Sequence, residues 1–374
     1  MRRKMYEKEI SACSIFGAMN IEGERFTGEG VIKAIANMHL RGNGLGGGFA
    51  IYGLYPEYEY YYALHIMFRG NEGAKKETDA LLNRSFDVVH DEEMPSGERA
   101  NVPDPPLVWR YFVAPDKKGK DKLLSDDDYV VQKVMDINLR IENAHVFSSG
   151  KNMGVFKGVG YPEDVAEYFQ LDSYRGHIWT AHGRFPTNTQ GWWGGAHPFC
   201  ILDWTVAHNG EISSYGTNRR YLEMFGYHCT LNTDSEVIAY AVDLLMRRQN
   251  LPMDVVAKIF APPVWEAIER EEESKKILLA MLRRVYAPLL INGPFAVIIA
   301  HHGEMIGLTD RIRLRPLTAG VRGKMTYLSS EEAAIRLVSK KLDRAWTPNG
   351  GEPIVVSLDG GGRGEKVDEV IPFA

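Results

Sequence analysis

A mostly apolar run, Ile201 to Ala207, stops at His208-Asn209-Gly210. Such a run predicts a buried strand, and the Asn-Gly that follows it predicts a turn. Asn209 offers a side-chain amide donor, and Gly210 offers a backbone N–H that a ligand can approach closely. Two such donors side by side are how an oxyanion hole is built. Upstream stands a fixed cation, Arg184, flanked by Thr187 and Thr189. The stretch from His177 to Ile212 therefore holds much of an acyl-transfer site, and its nucleophile is sought outside it. The candidate lies far away, at Cys13 in Ala12-Cys13-Ser14-Ile15-Phe16-Gly17, a thiol at the start of a strand-like run. The other reading of Cys13 is a buried strand cysteine, the commoner fate of a lone cysteine.

Several function classes are disfavoured. The chain of 374 residues has a net charge of −5, which argues against nucleic acid as the main partner. No run approaches the roughly 18 apolar residues of a membrane span. The start, MRRKMYEKEISA, is positive but has no apolar stretch behind it, so it does not read as a signal peptide. Three cysteines, Cys13, Cys200 and Cys229, make no disulfide framework, and a reducing cytoplasm is the expected location.

Periodicity places the elements. Glu29 to Leu40 predicts a helix, followed by the glycine-rich Arg41-Gly42-Asn43-Gly44-Leu45-Gly46-Gly47-Gly48. That loop lacks the Gly-Lys-Ser/Thr of a phosphate loop and follows a helix, so it reads as backbone that must approach another segment closely. Phe49–Leu54 and Tyr58–Phe68 read as strands, the second dense in tyrosine. A base-stacking platform is the other reading of those tyrosines, and the acidic balance speaks against it. Residues 70–140 read as an insertion of mixed helix, proline-rich loop and charge run. Ala144–Gly160 reads as a hairpin. Ser235–Arg248 reads as a helix capped by Thr233 or Asp234. Asp254–Val285 is helical apart from Pro262-Pro263. Strands are expected at Phe295–His301, Glu304–Leu308, Met325–Ser329 and Pro353–Leu358, and a helix at Glu331–Val338. His177, His182, His197 and His208 invite a metal reading, but Cys200 and Cys229 show no metal-ligand spacing, and structural histidines are the plainer account. Asp310, Arg313 and Arg315 are either functional or internally paired.

Taken together and in order, several motifs resemble a known family. They are Cys13-Ser14-Ile15-Phe16-Gly17, Arg184-Phe185-Pro186-Thr187-Asn188-Thr189, Ala196-His197-Pro198-Phe199, His208-Asn209-Gly210-Glu211-Ile212, Thr233-Asp234-Ser235-Glu236, and Leu314-Arg315-Pro316-Leu317 with Ser329-Ser330-Glu331. The chain resembles class II glutamine amidotransferases, the cysteine branch of the N-terminal nucleophile hydrolases. The Arg-Phe-x-Thr-Asn-Thr and His-Asn-Gly-Glu-Ile pair looks most like the amidotransferase domain of glutamate synthase, here as a free-standing subunit.

The resemblance implies an α+β fold, a four-layer αββα sandwich of two antiparallel sheets. It implies residues 1–12 as a pro-segment removed to expose Cys13, an amidotransferase domain over 13–340, and a C-terminal extension over 341–374. In such a family Cys13 supplies both the thiol and, once freed, the α-amino base. Asn209 and Gly210 form the oxyanion hole, Arg184 holds the glutamine α-carboxylate, and Asp234 holds its ammonium, with Thr187 a further contact. No metal or cofactor is implied in this chain. Nothing in it resembles the flavin- and iron–sulfur-binding synthase domain, so FMN and the cluster are expected in a partner subunit that takes the ammonia. Alternatives are a different acceptor such as an N-methylglutamate-type synthase, a cysteine acylase or amidase, and a non-catalytic regulatory subunit.

Overall fold

A computed structural model describes residues 12–70, 72–97, 101–116, 123–185, 191–231 and 233–358. The expected pro-segment therefore lies outside the described residues except for Ala12, and Thr187 lies outside them altogether.

Two antiparallel sheets form the middle of the molecule. The larger has seven strands in the spatial order Arg344–Trp346, Thr318–Arg322, Met325–Ser329, Ser14–Asn20, Ile178–Gly183, Gly47–Tyr52 and Met153–Gly158. The smaller has five, in the order Phe199–Ile201, Trp204–Gly210, Phe295–His301, Glu304–Thr309 and Ile354–Ser357. Period-2 alternation decides what each face meets. On Phe295–His301, Phe295, Val297 and Ile299 join one apolar cluster with the helices Glu236–Val242 and Met253–Phe260. Ala296, Ile298 and Ala300 join another with Ile15, Phe16 and Ala181 of the larger sheet. The helices Glu29–Ala36, Pro162–Tyr168 and Glu332–Val338 cover the far side of that sheet. The order is helix, sheet, sheet, helix, the α+β sandwich of two antiparallel sheets that the resemblance implied.

Small residues let the sheets close. A Cβ on Gly17 would stand 2.7 Å from the sulfur of Met305 across the interface. Tyr52 then fastens one sheet to the other. Its hydroxyl lies 2.7 Å from the Asp203 carbonyl, 2.8 Å from the Ala300 carbonyl and 2.7 Å from Oγ1 of Thr205.

Residues 62–148 build a further four-stranded antiparallel sheet, ordered Phe86–Glu93, Leu107–Pro115, Tyr62–Phe68 and Ala144–Ser148. The helices Glu72–Ser85 and Asp126–Arg140 come from the same stretch, and its core merges with that of the five-stranded sheet through Phe199 and Ile201. Past residue 341, the strands Arg344–Trp346 and Ile354–Ser357 add an edge to each main sheet.

Some expectations need correction. Ala144–Ser148 and Met153–Gly158 are strands but not a hairpin: the first pairs with Tyr62–Phe68 and the second with Gly47–Tyr52. The Ser149–Asn152 link carries the chain between sheets, with the Gly150 carbonyl accepting from Ala63 N. Of the tyrosines at 58–62, only Tyr62 lies in the strand, because Pro56–Tyr58 forms a 3₁₀ turn. The strand from Trp204 runs through Gly210 rather than turning at Asn209, because Asn209 and Gly210 pair with Ala296 and Phe295. The helix Glu236–Val242 has Ser235 at its N-cap and no side-chain cap. Asp234 is drawn instead to the N–H of Ile212.

Removing the fastening hydroxyl is a direct test. Tyr52→Phe leaves a buried hydroxyl and buried carbonyls short of a partner, a loss of about 1–3 kcal/mol. Urea unfolding should show a lower midpoint with an unchanged m-value.

Candidate active site

The register of neighbouring strands brings the distant motifs together. Ser14 lies opposite Gly183, so Cys13 and Arg184, one residue beyond each, share the same end of the larger sheet. The crossing is close: a Cβ on Gly183 would meet Ser14 Oγ at 2.6 Å. The facing sheet brings Asn209 and Gly210 to the same end. Cys13, Arg184, Asn209, Gly210 and Asp234 together line one cavity of about 760 Å³. Thus every described residue singled out from the sequence as catalytic or substrate-binding reaches this cavity.

The sulfur of Cys13 accepts the N–H of Phe185 at 3.3 Å. Arg41, which opens the glycine-rich loop, donates from Nε to the Cys13 carbonyl at 3.2 Å and from Nη1 to Glu331 at 2.9 Å. Burial pushes the thiol up from its ordinary pKa, against the Phe185 N–H and the positive charges of Arg184 and Arg315, while Asp234 adds to the rise.

Arg184 is buried, and the glycine-rich loop is what seats it. Its N–H donates to the Gly46 carbonyl at 2.8 Å, and its carbonyl accepts from Asn43. A Cβ on Gly46 would come within 3.0 Å of the Arg184 side chain, and one on Gly48 within 2.3 Å of the His197 carbonyl. The loop is thus backbone packed against another segment, as its composition indicated. Burial lowers the Arg184 pKa, opposed by the negative charge available at Cys13 and Asp234.

Asn209 is fully buried. Its Nδ2 donates to Ser330 Oγ at 3.3 Å, and Ser330 Oγ also accepts the N–H of Ile15 at 3.1 Å. An amide nitrogen carries two hydrogens, so one remains beyond the Ser330 bond. At Gly210 any Cβ would stand 2.0 Å from the Pro294 carbonyl, so the position excludes a side chain. Asp234 accepts from Ile212 N at 2.7 Å and from the Ser235 hydroxyl at 3.1 Å. That hydroxyl lies 2.7 Å from Nδ1 of His208.

Sequence reasoning missed several of these residues. Ser330 and Arg41 act on the site through hydrogen bonds that no spacing reveals. Ser330 did stand in a family-like motif, and Arg41 opens the loop that was read correctly. Arg315 also lines the cavity, which resolves its functional-or-paired reading toward the site. Asp310, by contrast, ties backbone.

Three of the four histidines, His182, His197 and His208, cluster in the interior, while His177 stands apart beside His302. His182 and His197 rings lie 4.0 Å apart, and His182 Nε2 is 2.9 Å from the His208 carbonyl. Among the described residues no group of three or more His, Cys, Asp or Glu is arranged to hold a metal ion. Among the same residues, no helix is long and apolar enough to cross a membrane.

A cysteine, a guanidinium, a carboxylate and two amide donors around one cavity equip it to bind a zwitterion and perform acyl transfer. Comparison with known proteins agrees. Residues 71–231 match the family of class-II glutamine amidotransferases, a span that includes Arg184, Asn209 and Gly210. The chain is 64% identical over 354 residues to an uncharacterised protein of Archaeoglobus fulgidus, covering 94% of each chain. It is 25% identical to a putative glutamine amidotransferase of Methanothermobacter thermautotrophicus, covering 87% of this chain and 93% of that one. Among solved structures, the glutamine phosphoribosylpyrophosphate amidotransferase of B. subtilis aligns at 16% identity with a TM-score of 0.45, over 92% of this chain and 47% of that one.

The histidine stack yields a pH prediction. Burial lowers His208, takes His182 down to about 3, and takes His197 well below its ordinary value. A depressed pKa stabilises the fold above the unfolded value of about 6.5, and that stabilisation is lost as pH falls toward the folded value. Histidine-ring NMR should show His182 and His197 neutral at pH 5 in folded protein.

Proposed function

We propose that this chain hydrolyses the side-chain amide of L-glutamine and passes the ammonia to a partner synthase of the glutamate synthase type. The observation that carries the reading is the single cavity shared by Cys13, Arg184, Asn209, Gly210 and Asp234.

In this reading, removal of residues 1–12 frees the α-amino group of Cys13. With a pKa near 7.7–8.0, a useful fraction of it is neutral at about pH 7 and takes the thiol proton. The thiolate attacks the amide carbon, and the carbonyl electron pair moves onto oxygen, facing the Gly210 N–H and the free hydrogen of Asn209 Nδ2. The tetrahedral centre collapses, the carbon–nitrogen bond breaks, and the α-ammonium returns its proton to the leaving nitrogen. Ammonia departs and a γ-glutamyl thioester remains. Water then adds to the thioester, the sulfur leaves, and glutamate and the thiol are restored. Arg184 pairs with the α-carboxylate, which a guanidinium fork suits. Asp234 faces the α-ammonium, with Thr187 a further contact. The charge pair favours a free amino acid over the acyl amides of a cysteine acylase.

Free ammonia is largely protonated near neutral pH and is then no nucleophile, so an enclosed passage to a docked acceptor suits the chemistry. FMN and an iron–sulfur cluster belong to that partner in this reading, and the cytoplasm is its location.

Purified protein given glutamine should release glutamate and ammonia in equal amounts, and intact mass should correspond to a chain beginning at Cys13. Cys13→Ala should abolish turnover with an unchanged circular dichroism spectrum. An active enzyme still carrying Met1 would overturn the α-amino mechanism. Asn209→Ala should lower kcat by on the order of 10²-fold, the cost of one oxyanion donor. Pull-down from the native source should recover a flavin-containing synthase subunit, and a lone, fully active glutaminase at every salt concentration would refute the partnership.

A further inference from the structure

Besides Arg184 and the half-exposed Arg219, the cavity holds the guanidinium of Arg315, on a loop braced from three sides. The Asp310 carboxylate accepts the N–H groups of Phe295 at 3.2 Å, Ile312 at 3.1 Å and Leu314 at 2.9 Å. The Phe295 bond ties the loop to the strand that pairs with Asn209 and Gly210. Arg313 stands at φ 54, a left-handed conformation uncommon for a side-chain-bearing residue, and its Nη1 holds the Pro348 carbonyl at 3.1 Å. Across the loop, a Cβ on Gly350 would come within 2.2 Å of the Arg311 carbonyl.

Core packing enters only at Leu317, beyond the braced turn. Ile312 and Leu314 are 65% and 57% exposed, so the loop leaves its own apolar side chains in water. It buries part of a charged one: Nε of Arg315 is shielded from solvent and has no hydrogen-bond partner among the described residues. An unmet buried donor costs free energy, and strained, costly groups held by surrounding structure cluster at functional sites.

We propose that Arg315 is a cation that favours the anionic form of the Cys13 sulfur and stays available to it when Arg184 is engaged by the substrate carboxylate. The assignment rests on the reading of Cys13 as the nucleophile. The cavity already has Arg184 and Asp234 for the two charges of an amino acid, so a further partly buried guanidinium is surplus to the substrate. Arg219 also lines the cavity, but its side chain is half-exposed and its charge is shared with Glu223 at 3.5 Å. The groups around the sulfur are the Phe185 N–H, Arg184 and Asp234, with His208, Glu211 and Arg219 elsewhere on the wall. Burial disfavours the charged form of the His208 ring. Arg315 lowers the pKa of Cys13 and of His208 alike, favouring a thiolate at one and an uncharged ring at the other. A positive charge also favours the negative tetrahedral centre formed when that sulfur attacks.

The test is the pH profile of Cys13 alkylation by iodoacetamide in the purified full chain. Peptide mass mapping separates Cys13 from Cys200 and Cys229. Arg315→Gln should displace the profile to higher pH and slow alkylation at pH 7 by about three- to tenfold, the effect of removing one nearby charge at intermediate dielectric. Arg315→Lys should restore most of the rate. Glutamine kcat should fall with alkylation while KM changes less than about twofold, a smaller shift than loss of a substrate contact gives. Arg315→Met serves as the uncharged variant if the Gln protein does not fold. A profile that superposes on wild type overturns the proposal. So does a raised KM with an unchanged profile, which places Arg315 on the substrate. Alkylation does not depend on glutamine. A displaced profile in a protein that never hydrolyses glutamine would therefore sustain the Arg315 assignment while the proposed function fell.

Discussion

One antiparallel pairing sets the geometry on which the rest depends. With Ser14 opposite Gly183, Cys13 and Arg184 leave adjacent strands at the same end. A slip of one residue would turn every side chain on one strand to the opposite face. The interior forbids it, since Ile15 and Phe16 are fully buried on one strand and Ile178, Trp179 and Ala181 on the other. The same packing that fixes the core fixes the distance between a thiol and a guanidinium.

The second constraint is how closely the two sheets stack. Asn209 and Gly210 belong to the smaller sheet and Cys13 to the larger, so their approach is set by the layer between them. Gly17, Ala207, Ala296 and Ala300 keep that layer thin, and Tyr52 pins it with hydrogen bonds to the facing sheet. Ser330 completes the coupling by holding both the Ile15 N–H and the Asn209 amide. The cavity is an edge of the core rather than a feature added to the surface.

Much of this was legible from the residues alone. The strands at Phe295 and Met325 lie where the residues placed them. The glycines at 46–48 announced a close approach, and they make it: Gly46 meets Arg184, Gly47 meets Pro162 and Gly48 meets His197. What periodicity could not convey was partnership. Ala144–Ser148 and Met153–Gly158 look like two arms of a hairpin because a short turn separates them, yet each finds its partner elsewhere. Asp234 looked like a helix cap because it precedes one, but the N–H of Ile212 claims it. Gly210 looked like a turn because it follows an asparagine, while its pairing with Phe295 keeps the strand going. In each case a long-range bond overrode a correct local signal. Arg315 stayed ambiguous for the same reason: the loop that places it is braced by Phe295 and Pro348, both distant in sequence.

The position of Ser14–Asn20 inside its sheet also bears on how the chain is made. This strand lies between Ile178–Gly183 and Met325–Ser329, both far downstream of it in the chain. At rates of roughly 5–20 residues per second, the first neighbour emerges well before the second. The strand therefore waits unpaired until residue 183 has emerged, and its last hydrogen bonds close only after residue 329. Until then the Ser330 hydroxyl that holds both the Ile15 N–H and the Asn209 amide is missing. The order of synthesis keeps the assembled cavity from existing on a partial chain.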